Sequence, residues 1–295
     1  MSNLVKYTNT KLKKIVNVYQ LQYKNGPAQG FGDFLTGSLF LFQLCVKHSL
    51  IFDMDFTNHP LSKNFIIEKK DNNIDYTNVL YYTDLENFRR DKILLYNTFI
   101  SHLNKINDEV YYLFCNFNPL YHIQNQGPVF IKSKLILNLE IENNIKKILD
   151  NFNLMPYNFD IIHIRSGDKY LLSNNKLNNI TVQKYIQLFT NIVDINKKYI
   201  ILSDNLTLKK AIKKINKFNN FFIDDLSEIC HTGENSIKTE SQLKNTVTDF
   251  FLMSKSQNIT SVSLMSRGGT GFSRSCAMIF KIPYRSILIN LGSHF

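Results

Sequence analysis

His163, Arg165, Gly167 and Asp168 stand together in the run D-I-I-H-I-R-S-G-D-K-Y, residues 160–170. Arginine is always charged, and its planar fork matches phosphate oxygens. On a strand, His163 lies two positions before Arg165 and shares its face. Ser203-Asp204-Asn205 adds a carboxylate and two further hydrogen-bonding side chains. Ser266-Arg267-Gly268-Gly269-Thr270-Gly271-Phe272-Ser273 interleaves glycines with hydroxyls. Glycines let backbone N–H groups approach a phosphate, and the helix that follows favours negative charge at its start. Such groups suit a phosphorylated ligand and the charge on a departing phosphate. Each has a plainer competing role: a surface ion pair for Arg165, a satisfied core imidazole for His163, a capped turn for the glycine loop.

The elements that must position these residues read as an α/β pattern. Ile161, Ile162 and Ile164 form a short β-branched run that ends in Ser-Gly-Asp, a strand and its turn. Thr181 is placed to cap a helix carrying Val182, Ile186, Phe189 and Val193. Tyr199–Leu202 is a strand ending in S-D-N. A helix with Leu208, Ala211, Ile212 and Ile215 follows, then a strand at Phe221–Ile223. Leu243, Val247, Phe250 and Phe251 form a helical stripe before a strand at Ile259–Leu264, and the glycine loop opens a helix to about Phe280. A last strand spans Tyr284–Ile289. Strict alternation predicts a parallel sheet covered on both faces, with ligands beyond the carboxyl ends of its strands. The first half opens alike: a strand from Lys14, a turn-rich loop with Gly30 and Gly32, an apolar helix over Asp33–Lys47 and a strand at Leu50–Phe52. A helix is expected within Lys134–Phe152.

H-I-R-S-G-D resembles the H-x-R-x-G-D motif of the inverting fucosyltransferases that use GDP-fucose, among them α-1,2, α-1,6 and nodulation enzymes. S-D-N and T-D-F-F-L-M-S-K-S (Thr248–Ser256), followed by the Ser/Gly-rich loop, fit later motifs of that family in order. The resemblance implies a GT-B-like α/β architecture, two Rossmann-like domains facing a cleft. Residues 1–152 would serve the acceptor and 153–295 the nucleotide sugar. It implies that Arg165 pairs with the β-phosphate and steadies the leaving GDP, and that His163 lies near the nucleoside. It implies that Ser266, Gly268, Gly269, Thr270, Gly271 and Ser273 touch the diphosphate. A carboxylate of Ser203-Asp204-Asn205 would accept from the guanine edge. Asp168 completes the first motif beside Lys169, Asp249 matches an acid of the third, and Gly30-Phe31-Gly32 falls where the family has a glycine-rich loop near the cleft. Relatives need no metal, and none is expected here, nor any cofactor beyond the donor. Two departures stand out: Asn205 replaces a second Asp, and Ser166 replaces a basic residue after the arginine.

Composition sets the bounds. With 295 residues, 44% apolar and 20% charged, the chain can bury a real core. The net charge of +11 favours anionic partners. The lysines are dispersed, with no basic stripe interleaved with aromatics, so no nucleic acid is expected. Cys45, Cys115, Cys230 and Cys276 form no C-x-x-C pair, and three of them sit in apolar runs. No run reaches the roughly 20 apolar residues of a membrane span, and the N-terminus lacks the apolar core of a signal peptide. These features predict a cytoplasmic protein without a transmembrane segment, one that would meet a membrane only peripherally or through a partner.

The expected function is therefore inverting transfer of fucose from GDP-fucose to a glycan or protein hydroxyl. Asp33, beside the glycine loop, is the candidate base, ahead of Asp53 and Asp55. The alternatives are another nucleotide-sugar donor on the same fold, or a catalytically silent glycan- or nucleotide-binding protein.

Overall fold

The computed structural model describes residues 4–19, 22–23, 26–27, 30–67, 80–81, 92–116, 126–167, 177–215, 219–224, 227–230, 238–263 and 271–289. The chain divides into two compact units, Met1–Ile136 and Leu137–Phe295.

In the first unit, strands β1 (Lys14–Val18), β4 (Ile51–Asp55), β5 (Leu80–Tyr81) and β6 (Val110–Phe114) form a parallel sheet in the order β4-β1-β6-β5. A short antiparallel ribbon pairs β2 (Gln22–Tyr23) with β3 (Gly26–Pro27). Helix α1 (Phe31–Lys47) buries Phe34, Leu35, Leu39, Phe40, Leu41 and Leu44, consistent with its nearly all-apolar sequence. A Cβ on its Gly37 would stand 1.9 Å from the backbone oxygen of Cys115, so only glycine permits this approach of helix to sheet. Asn17, the next-to-last residue of β1, is fully buried and closes the joint. Its side-chain amide donates to Ser38 Oγ at 2.8 Å and to Cys115 O at 3.1 Å, and its carbonyl accepts from Cys115 N at 2.9 Å. Helices α2 (Lys92–Leu103) and α3 (Gln126–Lys134) and a short 3-10 turn at Pro60–Asn64 complete the described part of the unit.

The second unit begins with α4 (Leu139–Asn151). This helix presents Ile141, Ile145 and Leu149 to the interior. It packs on the helix Glu240–Ser254, with Asn144 Nδ2 donating to Thr248 Oγ1 at 3.1 Å and Lys244 paired to Glu140 at 2.7 Å. It therefore belongs to the second unit, and the division falls at 136/137 where the sequence suggests 152/153.

Five parallel strands follow: β7 (Asp160–Arg165), β8 (Tyr199–Ser203), β9 (Phe221–Ile223), β10 (Asn258–Ser263) and β11 (Tyr284–Leu288). Their spatial order is β11-β10-β7-β8-β9. This is a doubly wound order, and it reverses between β7 and β10. Ile162 and Ile164 of β7 join a cluster with Val182, Tyr185 and Phe189 of α5 (Asn179–Ile192) and Leu208 and Ile212 of α6 (Leu206–Lys213). The alternate residue His163 faces the other layer, where its ring lies 6.0 Å from Phe272 of α8 (Gly271–Phe280). The remaining helix is α7 (Glu240–Ser254), opened by a capping box between Thr239 and Gln242.

Two local expectations are corrected. Helix α5 is capped by Asn178, whose side chain accepts from Thr181 N at 2.7 Å; Thr181 is the buried third residue of the helix, not its cap. Helix α1 starts at Phe31, two residues before Asp33, so Gly32 lies inside its first turn. All four cysteines are free thiols, and Cys45, Cys115 and Cys276 are buried. No described helix is long and apolar enough to cross a membrane.

Candidate functional site

The reversal of strand order puts a natural crevice at the carboxyl ends of β7 and β10, and the residues there are Arg165 and Ser263, which are register partners. Next to them, β8 ends in Ser203 and delivers Asp204. Asp204 is 8% exposed and gathers the start of the loop after β7. Its Oδ1 accepts from both Ser166 N and Ser166 Oγ at 2.8 Å, and the backbone N–H of Gly167 also donates to the carboxylate. Its Oδ2 lies 3.3 Å from Arg165 Nη1. Gly167 takes φ 101°, a left-handed conformation that glycine enters without strain. From the other side, Tyr185 donates its hydroxyl to Arg165 O at 2.9 Å. Tyr185 thus holds the backbone of Arg165 and Asp204 its guanidinium, while the arginine side chain stays 18% exposed.

The electrostatics follow from burial. Burial pushes the Asp204 carboxyl up, opposed by Arg165 and the Ser166 and Gly167 hydrogen bonds. His163 is 3% exposed, and burial together with the Arg165 and Lys209 charges drives its imidazole down to about 3. It is a neutral ring beside a fixed cation, able to donate and accept one hydrogen bond each.

The other predicted donor residues divide. Ser203 and Asn205 are buried beside Asp204 but are occupied locally: Ser203 Oγ accepts from Asn205 N at 3.2 Å, and Asn205 Oδ1 caps α6 by accepting from Leu208 N at 3.1 Å. Gly271 and Ser273 open α8, with Ser273 fully buried. Asp168, Ser266, Gly268, Gly269 and Thr270 lie outside the described residues.

In the first unit, Gly30 is the extended N-cap residue of α1, and its carbonyl accepts from Asp33 N and Phe34 N. Phe31 is a core residue, 2% exposed and packed against Phe56, His59 and Phe65. Asp33 is half-buried in the first turn of α1; burial of Tyr19 raises that phenol's pKa, and the nearby Asp33 charge adds to it. Asp53 is engaged by Lys14 at 3.3 Å and Lys134 at 3.5 Å, and Asp55 caps a turn at Thr57.

One feature of the second unit carries no signal in the sequence. A cavity of about 420 Å³ runs between α4, α7 and the β8–β9 side of the sheet. Lys209, Asp224, Ser227, Asn245 and Asp249 line it together with apolar residues such as Ile148, Phe152 and Leu252. Lys209 is 2% exposed, and Asp249, at 8%, has an Oδ2 with no hydrogen-bond partner. Leu208 and Ile212 face the core from α6, so a lysine next to them reads as solvent-facing; only the fold shows that it points inward. Among the described residues, no group of three or more His, Cys, Asp or Glu side chains gathers to hold a metal.

No protein-family model and no curated protein matches the chain. Solved structures do. A NodZ α-1,6-fucosyltransferase soaked with GDP-fucose superposes with a TM-score of 0.54 at 12% identity, covering 95% of this chain and 96% of that one. NodZ from Bradyrhizobium gives 0.54 at 11% identity over 97% and 98%. A variant of Arabidopsis thaliana FUT1 in complex with GDP gives 0.56 at 9% identity over 95% and 72%. At these identities the likeness is one of fold: the GT-B-like α/β architecture expected from the sequence.

Proposed function

We propose that the chain is a glycosyltransferase that takes GDP-fucose as donor and transfers fucose with inversion to a glycan or protein hydroxyl. The observation that carries this reading is Arg165, fixed at the strand-order reversal by Asp204 and Tyr185. A guanidinium held there stabilises negative charge as it builds on a departing diphosphate. The likeness in fold to enzymes solved with GDP-fucose and GDP supports the same donor.

The roles are drawn from the motif resemblance and, for Arg165 and Asp204, from their contacts. Arg165 contacts the β-phosphate, and Asp204 positions it through the Ser166-Gly167 turn. That engagement moves Asp204 away from the guanine-reading role the motif resemblance implied. Neutral His163 borders the nucleoside, and Asp168 closes the same motif. The Ser266–Ser273 segment supplies N–H and hydroxyl donors to the diphosphate. Asp33, at the start of α1 and after Gly30-Phe31-Gly32, is the proposed base for the acceptor hydroxyl.

The direct test is release of GDP from GDP-fucose in the presence of a glycan panel, with wild type and Arg165→Ala. Acceptor-dependent GDP release that Arg165→Ala abolishes, with its fold retained, is the expected result. Undiminished release by the variant contradicts the role of Arg165. A protein that binds GDP but never turns the donor over is instead a silent nucleotide-binding relative.

A further inference from the structure

The strands of the second sheet all run parallel, so the loops that lead into them gather at the end opposite the crevice. Hydrogen bonds tie these loops into one plate. Tyr157 N donates to Lys255 O at 2.7 Å, and Lys198 Nζ donates to Asn153 O at 3.3 Å. Asn220 Nδ2 donates to Asp194 O at 2.7 Å and also to Lys197 O.

The plate turns large apolar side chains toward solvent. Met155 is 69% exposed, Tyr157 58% and Ile195 71%. The first two stand on a tight turn, residues 155–158, closed by Asn158 N donating to Met155 O at 3.2 Å. Proline in the second position and a positive φ in the third are the pattern of a type II turn, whose third position calls for glycine or asparagine. Tyr157 occupies it instead, at φ 63°. A bulky residue is strained there, and this one buries little in return, so the strain serves to hold an aromatic side chain outward.

Cations surround these tips. Lys197 and Lys198 lead into β8, Lys214 and Lys255 end α6 and α7, and Lys281 follows α8. Among the described residues of these loops, only Lys197 is paired with an acid, Asp160 at 3.4 Å. The exposed acids described at this end are Asp150 and Asp194, so positive charge is in excess.

A second copy of the chain would bring the same charge, and a net charge of +11 opposes self-association. An acidic protein would answer the lysines but not apolar groups that project singly from separate loops. A lipid surface answers both. Its phosphates and carboxylates attract dispersed lysines, and its headgroup boundary takes apolar tips, tyrosine among them.

We propose that the face formed by the loops leading into β7–β11 docks on an anionic lipid surface, with Met155, Tyr157 and Ile195 entering the headgroup boundary and the loop lysines holding the charge. The crevice at the other end of the sheet then points away from the lipid. Docking needs neither GDP nor turnover, so it stands or falls apart from the transferase reading.

Co-sedimentation with vesicles of phosphatidylcholine and phosphatidylserine, and of phosphatidylcholine alone, tests this. Wild type should partition onto the mixed vesicles at least about 10-fold more strongly, and high salt should weaken that binding. A lysine near an anionic surface is worth roughly 5-fold, so Lys198→Gln combined with Lys281→Gln should cost about 10-fold or more. Tyr157→Gly should lower partitioning several-fold while melting no lower than wild type, because glycine relieves the turn. A tyrosine needed only for the fold would not behave this way. Ile180→Ser, at an equally exposed position (71%) but at the start of α5 on the crevice end, should bind as wild type does. The chain has no tryptophan, so Met155→Trp carries a sole reporter whose emission should shift to the blue on mixed vesicles.

No preference for anionic vesicles, an unshifted Met155→Trp emission, or a loss in Ile180→Ser as large as in Tyr157→Gly would overturn the proposal. Binding of soluble polyglutamate without binding of vesicles would overturn it in favour of an acidic protein partner. Self-association without lipid that Tyr157→Gly abolishes would overturn it in favour of an interface between copies.

Discussion

Arg165 and Asp204 come from different strands, 39 positions apart, and meet at 3.3 Å between Nη1 and Oδ2. The same carboxylate takes both donors of Ser166. One acid thus fixes the arginine and the turn that follows it. This gives the H-I-R-S-G-D run its internal logic: the strand delivers the cation, and serine and glycine fold back to hold the carboxylate that aims it.

Removing that carboxylate should be costly. Asp204→Ala strips the Ser166 and Gly167 donors of a buried partner and leaves Arg165 without its countercharge. A loss on the order of 2–4 kcal/mol in urea unfolding is expected, together with loss of the GDP response. A wild-type midpoint with normal GDP binding would mean that Asp204 does not position the arginine.

Asp249→Asn should raise stability at pH 7.5. The folded carboxyl titrates at about 6, above its ordinary value of 3.8. A raised pKa stabilises the fold below pH 3.8, and that stability is lost as pH rises through 6. The asparagine variant escapes the loss, by roughly 2–3 kcal/mol above pH 7, and its advantage should vanish near pH 4. Melting curves across this range check it; a variant no more stable than wild type at pH 7.5 counts against a buried, ionised Asp249.

His163 acts with the opposite sign. Its folded pKa of about 3 lies below the ordinary 6.5, so the unfolded chain binds the extra proton between these values. Its contribution is present above pH 6.5 and is lost as pH falls toward 3. His163→Leu should remove this loss, on the order of 2 kcal/mol between pH 6.5 and 5. Stability measured at both pH values in the two proteins reads it directly. Equal acid sensitivity would show that the imidazole is not held neutral.

Gly37→Ala tests the packing of the first unit. The added Cβ meets backbone, not a flexible side chain, so α1 or the end of β6 must shift and disturb the Asn17 joint. A destabilisation of about 1–3 kcal/mol or more is expected. A neutral substitution would contradict the close approach.

Much of the second unit is legible in the amino-acid sequence. Strand–helix alternation there marks each of the five strands to within a residue or two, because buried parallel strands read as short apolar runs between polar loops. The pairing of Arg165 with Asp204 is not legible, since register across 39 positions depends on the whole sheet. Motif spelling alone therefore gives no sign that Asp204 gathers the turn after β7, and it weighs Asn205 for charge where its Oδ1 caps α6. Ser166 resembles a missing cation and is instead a double donor to Asp204. Lys209 gives no signal at all, because a lysine on a short helix looks solvated until the helix is placed against β8 and α5.

The central claim is that Arg165 holds the diphosphate of a GDP-linked donor. Thermal unfolding of wild type and Arg165→Ala with GDP, GDP-fucose, UDP, ADP and CMP tests it most directly. A ligand at a hundred times its dissociation constant adds about 2.7 kcal/mol, which moves the melting temperature visibly. The account predicts stabilisation of wild type by GDP and GDP-fucose alone, lost in a variant that otherwise melts as a folded protein. Stabilisation by UDP, ADP or CMP in place of GDP, or a GDP response that survives Arg165→Ala, would contradict it.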